Sequence, residues 1–504
     1  MAAGRAGQQP MIMTQLICYR AQLAPSNVVV SPLPAWVQKR PRAGFPTIPA
    51  DALQEAVWSM IAKPVKGIMF HGWGTIAETG SETGYTYTSP ESAARLRELL
   101  NGLVAPLGPT LKELGREEPE VAVLESFATA AMGGPASWGW LSPAITFCQR
   151  SRLDPRVVYE ETVMRDGFGR TKILYAPQCR FLSAPVVEKV KAFQQAGGIL
   201  VADEKLLPAL KADIVVPVMA YKTPPKSDHA ADVDAATKTM VNTVARRFTE
   251  GQKAWMLAEA EKLRAALAAK YAYAPKTDSS SPEIVTYSRA WGGTPYVFAV
   301  NDKRTFGDYV GQWGLTMEKG LPFAGEVTLA DPEGRINAVY ELSRGGEVKF
   351  SRRDGRVAVP LSYDTNDGRL LLFLPQKIAS VDAEATKAGD ALSVSVTMTV
   401  RDAAGEPVKA LLPVEVRVYD AAGRELDGAG YACAKDGVCK LTVRTNINDA
   451  PGGYRVVCRD RASGLACERW VKNPPRLMKV EGIPPEGYEL SIARTASDHD
   501  LGFN

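Results

Sequence analysis

The chain has 504 residues, a hydrophobic fraction of 45%, a charged fraction of 23% and a net charge of +4. These are values of ordinary globular protein, enough for about three domains at ~150 residues each. The near-neutral balance argues against a dedicated nucleic-acid surface, and no apolar run approaches the ~20 residues that cross a bilayer.

Residues 10–20, PMIMTQLICYR, read as a buried strand. A polar, Pro-rich stretch follows. Next comes ADALQEAVWSMIA, where Leu53, Val57, Met60 and Ile61 recur at helical spacing. Pro64 closes that helix. VKGIMF is the next strand, and it ends abruptly in His71-Gly72-Trp73-Gly74-Thr75. Ser89-Pro90-Glu91 has the cap, first-turn proline and early acid of a helix start. The helix it opens, ESAARLRELLNGLVAPLG, carries Leu96, Leu99, Leu100 and Leu103 on one face. Residues 1–116 are thus two βα units, too few to close a barrel or to cover a parallel sheet.

From 117 to 222 the pattern restarts. EVAVLESFAT, KILYAP and ILVAD read as strands, SWGWLSPAITFCQRSRL as a helix, and RVVYEETVM as a further strand candidate. SAPVVEKVKAFQQAGG is a helix with Ser183 as cap and Gly197-Gly198 as its stop. This alternation predicts a doubly wound, flavodoxin-like sheet. Residues 223–282 read as a linker holding one amphipathic helix, EGQKAWMLAEAEKLRAALAAKY. Short alternating segments broken by Asp-Gly, Gly-Gly and Asn-Asp signals predict two successive β-sandwiches, at 283–377 and 378–475, the second Ig-like. Residues 476–504 form a tail.

His71 and Trp73 are the first candidates for a site. A tryptophan at a strand end offers a platform to the C–H face of a sugar ring, and flanking glycines let a ligand approach the backbone. The plainer alternative is a rim tryptophan under the next loop, with His71 bonded to backbone. The order ALQEAVWSMIAKPVKGIMFHGWGT, a Tyr-rich loop, then SPESAARLRELLNGLVAPLGPTLKEL resembles the last helix–strand–helix of barrel glycoside hydrolases. KILYAPQCRFLSAPVVEKVKAFQQAGGILVAD resembles the trimerisation domain that follows the barrel in family 42 β-galactosidases, a non-catalytic relative of class I glutamine amidotransferases. YVFAVNDKRTFGDYVG is similar to the first strands of an accessory β-domain.

This resemblance implies that MIMTQLICYR and VKGIMF are the last two strands of a (β/α)8 barrel. It implies a carbohydrate partner, a sugar-facing set of Tyr19, Arg20, His71, Trp73, Glu78 and Tyr85, and a homo-oligomer through residues 117–222. Retaining glycosidases need two carboxylates about 5–5.5 Å apart. The family's nucleophile ends the first of these strands, where Cys18, Tyr19 and Arg20 stand, and residues 1–50 contain no Asp or Glu. No catalytic residue is therefore assigned. The expectation is the C-terminal portion of a secreted, β-galactosidase-like glycoside hydrolase-like protein that acts on or binds carbohydrate without hydrolysis by this chain alone. The alternative is a non-catalytic carbohydrate-binding or structural protein.

Other chemistries find little support. The three histidines are scattered and the cysteines form no C-x2-C pair, so no metal site is expected. No glycine pattern fits a phosphate loop, so no cofactor is expected. Cys179 lacks the flanking glycines of a nucleophile elbow, and no histidine lies between 72 and 228. Four of the seven cysteines fall between 433 and 467 in two close pairs. Cys433 and Cys439 flank a Lys-Asp-Gly turn and Cys458 and Cys467 flank Ala-Ser, which predicts disulfides 433–439 and 458–467, other connectivities staying open. Disulfides imply an extracytoplasmic location. MAAGRAGQQPMIMTQLICYR has no long apolar core, so the signal peptide is expected outside this chain.

Overall fold

A computed structural model describes residues 9–18, 39–40, 43–78, 84–133, 141–219, 250–304, 309–310, 316–317, 320–387 and 392–473. Two compact units divide them. The first holds the residues up to Val104 together with Leu114–Val339 and Val348–Phe373; the second holds Ala105–Glu113, Tyr340–Glu347 and the residues from Leu374.

The first unit begins with β1 (Met11–Gln15), α1 (Ala50–Ile61) and β2 (Gly67–His71). β1 and β2 pair in parallel, Met11 opposite Gly67 and Gln15 opposite His71. Leu53, Val57, Trp58, Met60 and Ile61 bury the apolar stripe of α1. The next helix is interrupted: α2 (Pro90–Leu99) passes through a π-helical turn, Leu100–Val104, into α3 (Ala105–Glu113), which belongs to the second unit. The wide turn precedes Pro106, whose ring and missing N–H disfavour a regular α-turn.

The doubly wound sheet follows the expectation. β3 (Val121–Glu125), β4 (Pro155–Tyr159), β5 (Ile173–Ala176), β6 (Ile199–Ala202) and β7 (Ile214–Val215) are all parallel, in the order β7-β6-β5-β3-β4. That is the flavodoxin-like order. α4 (Phe127–Met132), α5 (Leu141–Arg150), α6 (Glu160–Asp166) and α7 (Ala184–Gln195) connect the strands. The segment RVVYEETVM is half strand, half helix, since α6 takes over at Glu160. Strand side chains alternate between two cores. Val121, Val123, Tyr175 and Val201 face one way; Ala122, Leu124, Leu174 and Leu200 face the other, against Val186, Val190 and Phe193 of α7. The amphipathic helix, α8 (Glu250–Tyr271), is a covering layer and not a linker element. Its Met256, Ala260, Leu263 and Leu267 complete the first of these cores beside Phe147 of α5.

The β-rich region of this unit is a sandwich. β8 (Thr277–Ser279), β9 (Ile284–Trp291), β10 (Thr294–Asn301), β11 (Phe323–Ala330), β12 (Ala338–Glu341), β13 (Ser351–Arg353), β14 (Arg356–Tyr363) and β15 (Gly368–Leu374) form two sheets. Their orders are β8-β11-β14-β13 and β12-β15-β10-β9, the latter extended by Gly115–Arg116. Val297, Ala299, Val327, Val359, Leu371 and Phe373 fill the space between. Arg150 of α5, itself 6% exposed, bonds to Glu283 at 3.1 Å and to Asp302, and Lys253 of α8 reaches Glu283 at 2.6 Å. In such a buried network desolvation offsets much of the Coulombic gain.

Apart from α3, the second unit is all-β. β16 (Ile378–Thr386), β17 (Ser393–Asp402), β18 (Leu411–Tyr419), β19 (Gly430–Lys435), β20 (Val438–Arg444), β21 (Gly452–Asp460) and β22 (Ala466–Asn473) form one sheet, β16-β17-β20-β19-β18-β21-β22. It curls so far that Arg469 of the last strand donates to the carbonyl of Ala383 in the first, at 2.8 Å. Counted in chain order within the unit, the sheet order is 1-2-5-4-3-6-7, the ABED and CFG orders of an Ig-like domain joined edge to edge. The cysteines are corrected in part. The β19–β20 hairpin pairs Lys435 with Val438 about an Asp436-Gly437 turn, so Cys433 and Cys439 are one residue out of register. A one-residue slip puts side chains on opposite faces: Cys439 is buried inside opposite Met398, whereas Cys433 is paired with Pro413. Cys458 and Cys467 do stand directly opposite each other. All seven cysteines are free thiols in this structure.

Candidate functional site

The C-terminal end of β2 is built by unusual backbone and buried hydroxyls. Leu16 N donates to the His71 carbonyl at 2.7 Å, carrying the strand pairing to its end. Gly72 then turns left-handed, φ 90° and ψ 36°. A Cβ there would lie 2.7 Å from Cγ2 of the buried Ile17, so only glycine fits. The chain enters a 3-10 turn, Trp73–Thr75. Thr75 is fully buried and its hydroxyl donates to the Leu16 carbonyl at 2.8 Å. Thr47 Oγ1 donates to the Thr75 carbonyl at 2.7 Å and accepts from Thr88 N at 3.0 Å. These bonds hold the turn down, so Trp73 is left outside.

Across from it, Tyr85–Thr86 pairs in parallel with Phe45–Pro46, Phe45 opposite Tyr85. Tyr85 Oη lies 2.7 Å from His71 Nε2, a hydrogen bond whose direction follows the imidazole tautomer. The two rings meet edge to face at 5.5 Å, as do Phe45 and Tyr85 at 5.5 Å, while Trp73 meets Phe70 at 6.1 Å. Trp73 remains 55% exposed and Tyr85 40%. Trp73 therefore presents an indole face to solvent and the His71–Tyr85 pair a phenol and an imidazole, and among the described residues no carboxylate bonds to either.

Of the residues expected here, His71 and Tyr85 come together, whereas Trp73 packs on Phe70. His71 is bonded to a phenol and not to backbone. Glu78 is exposed, without a hydrogen bond or ion pair among the described residues. Tyr19 and Arg20 lie outside the described residues. Cys18 is described, and burial pushes its thiol up to about 12, too high for a nucleophile at neutral pH. Phe45, Thr47 and Thr75 escaped the sequence reading. Phe45 and Thr47 sit in a Pro-rich stretch without periodicity, and their partners are 28 to 41 residues away.

The doubly wound sheet shows a strained turn at its carboxyl edge. Gln178, just after β5, has φ 51°, and its N–H donates to Asp203 at 2.8 Å. A non-glycine at positive φ after a strand is the backbone of a nucleophile elbow. The adjacent Cys179 is fully buried, however, and burial first, then Asp203 and Glu160, raise its thiol far above the neutral range. Cys148 is pushed up to about 12 by burial alone. Neither thiol is equipped for acyl transfer.

No protein-family model matches the chain, and no curated protein does. Solved structures of glycoside hydrolases do align with it. They include α-L-fucosidase isoenzyme 2 from Paenibacillus thiaminolyticus, at 12% identity and a TM-score of 0.41 over 66% of this chain and 58% of that one. A β-galactosidase from Bacillus circulans sp. alkalophilus aligns at 13% identity and a TM-score of 0.37, over 65% and 53%. A GH42 β-galactosidase from G. stearothermophilus aligns at 14% identity and a TM-score of 0.38, over 65% and 51%. The chain spans about half the length of these structures.

Proposed function

We propose that this is a glycoside hydrolase-like chain of the β-galactosidase kind that holds carbohydrate at the end of β2 and does not cleave it unaided. In this reading β1 and β2 are barrel strands. The observation that carries it is the build of the strand end: left-handed Gly72 and buried Thr75 hold Trp73 exposed just after a hydrogen-bonded His71 that closes β2. A solvent-facing indole held by the backbone is a ready platform for a sugar ring, and the phenol and imidazole supply hydrogen bonds at its rim. Binding without cleavage is part of the proposal because retaining hydrolysis needs two carboxylates at the site, and none bonds to these residues among the described ones.

Titration with galacto-oligosaccharides, read by Trp fluorescence and calorimetry, tests the reading. Trp73→Ala should weaken binding roughly fivefold to tenfold, about 1–1.4 kcal/mol. Unchanged affinity in that variant would remove the site. Turnover that is lost in Glu78→Gln would overturn the non-hydrolytic part.

Three further expectations belong to the same proposal. Phe127, Met132, Met164 and Phe181 are exposed near the carboxyl edge of the doubly wound sheet, a surface suited to self-association that light scattering would reveal. The facing Cys458 and Cys467 support one disulfide, and with it an extracytoplasmic location. Peptide mapping without reduction reads that bond directly.

A further inference from the structure

The second unit carries another aromatic surface, separate from the group around Trp73. Tyr419 of β18, Arg455 of β21 and Trp470 of β22 stand directly opposite one another across three adjacent strands. Their inward neighbours Val418, Tyr454, Val456 and Val471 are buried, so this row lies on the outer face of the sheet. Trp470 is 64% exposed. Its position is fixed, because Nε1 donates to Glu468 Oε1 at 2.9 Å. Arg455 is fixed as well: it pairs with the other Glu468 oxygen at 3.3 Å and lies 4.7 Å over the Tyr419 ring.

Three planar groups thus span two strand spacings, roughly 10 Å, enough for a disaccharide. The indole has spent its one polar group on Glu468, which leaves a bare π face in water. A lone exposed aromatic is unremarkable. An aromatic locked by a carboxylate and aligned with a stacked guanidinium is a preformed contact surface. Its charge selects the occupant. The outward residues of β21 and β22 include Arg455, Arg459 and Lys472 against the acid Glu468, and Glu415 of β18, opposite Arg459, is itself paired with Arg417; Arg459 and Lys472 have no ion-pair partner among the described residues.

We propose that this face binds an acidic polysaccharide, one sugar ring stacked on Trp470 with its carboxylate facing Lys472, and Arg459, four residues along β21 from the Arg455–Trp470 row, meeting a carboxylate further along the chain. A protein partner is the rival occupant. Its fit is poorer, because an aromatic row without surrounding apolar surface lacks the desolvated core that protein interfaces require.

The test is calorimetry and affinity electrophoresis of the full chain against polygalacturonate, with a neutral galactan as control. Binding to polygalacturonate should weaken about tenfold in Trp470→Ala and be largely kept in Trp470→Phe. Lys472→Glu should weaken polygalacturonate binding severalfold and leave galactan unaffected. Because Trp470 is exposed, all three variants should melt with the wild type. No binding to polygalacturonate, or binding indifferent to Trp470→Ala, overturns the proposal. Binding lost in Trp73→Ala and retained in Trp470→Ala also overturns it, and assigns the ligand to the first site. Failure to bind any saccharide, with Trp470 instead protected by another protein, decides for the rival.

Discussion

Gly72→Ala tests the link between backbone and site most sharply. An L-residue in the left-handed region costs about 1–2 kcal/mol. The new methyl would also meet Cγ2 of Ile17 at 2.7 Å, and Ile17 is buried and β-branched, so it has little room to rotate. Overpacking of that kind costs about 1–3 kcal/mol. Together the substitution should destabilise the first unit by about 2–5 kcal/mol, a large share of a typical 5–15 kcal/mol. Urea denaturation followed by Trp fluorescence reads this as a lower midpoint at constant slope. The two terms separate in a cycle with Ile17→Ala. Removing the isoleucine should relieve the clash, so the double variant should be about 1–3 kcal/mol more stable than the sum of the singles predicts. Saccharide affinity should fall as well, since the turn that projects Trp73 would be displaced. A Gly72→Ala protein within about 0.5 kcal/mol of wild type that binds saccharide normally would refute the reasoning.

Two more outcomes follow from buried charges in the same unit. Arg289 is almost wholly buried and donates to the carbonyls of Gly115 at 2.8 Å, Ala62 at 3.2 Å and Leu114. Arg289→Met orphans all three acceptors and should cost about 3–5 kcal/mol by denaturant titration; a loss below about 1 kcal/mol would show that water replaces the guanidinium. Lys63 lies 3.8 Å over the Tyr287 ring, and desolvation, aided by Arg116 and Arg289 and opposed by Asp154, lowers its ammonium to about 8. The unfolded chain then binds the extra proton between about pH 8 and 10.5, so wild-type stability should rise through that window. Lys63→Met should be about 2–3 kcal/mol more stable than wild type at pH 7, the gap closing by pH 10.5; a gap that is constant with pH would mean that Lys63 is charged and solvated in the fold.

Local signals were the legible ones. Gly197 stops α7 at φ 91°, Ser89-Pro90 opens α2, and the apolar runs of the doubly wound strands are buried on both faces. Each depends on neighbours a few residues away. What was missed depends on distant ones. The α8 stripe looks like any amphipathic helix until the sheet beneath it exists. The Asp436-Gly437 turn is visible in the sequence, but the register it imposes lies one residue from a symmetric Lys-Asp-Gly turn, which is enough to separate Cys433 from Cys439. At the site, His71 and Trp73 announced themselves by the Gly-Trp-Gly alternation. The phenol that binds His71 and the threonines that fasten the turn did not, because no spacing rule connects positions 47, 75 and 85.

The discontinuity of the second unit has a consequence in time. α3 packs on β18 and β19 of the curled sheet, yet Leu411 follows Glu113 by 298 residues. At about 5–20 residues per second, a ribosome would need roughly 15–60 s to deliver that partner. During this interval Pro106, Leu107 and Leu111, buried in the finished protein, have nothing to cover them. The nascent chain thus carries a solvent-facing apolar helix while those residues are added, a natural handle for a holding chaperone.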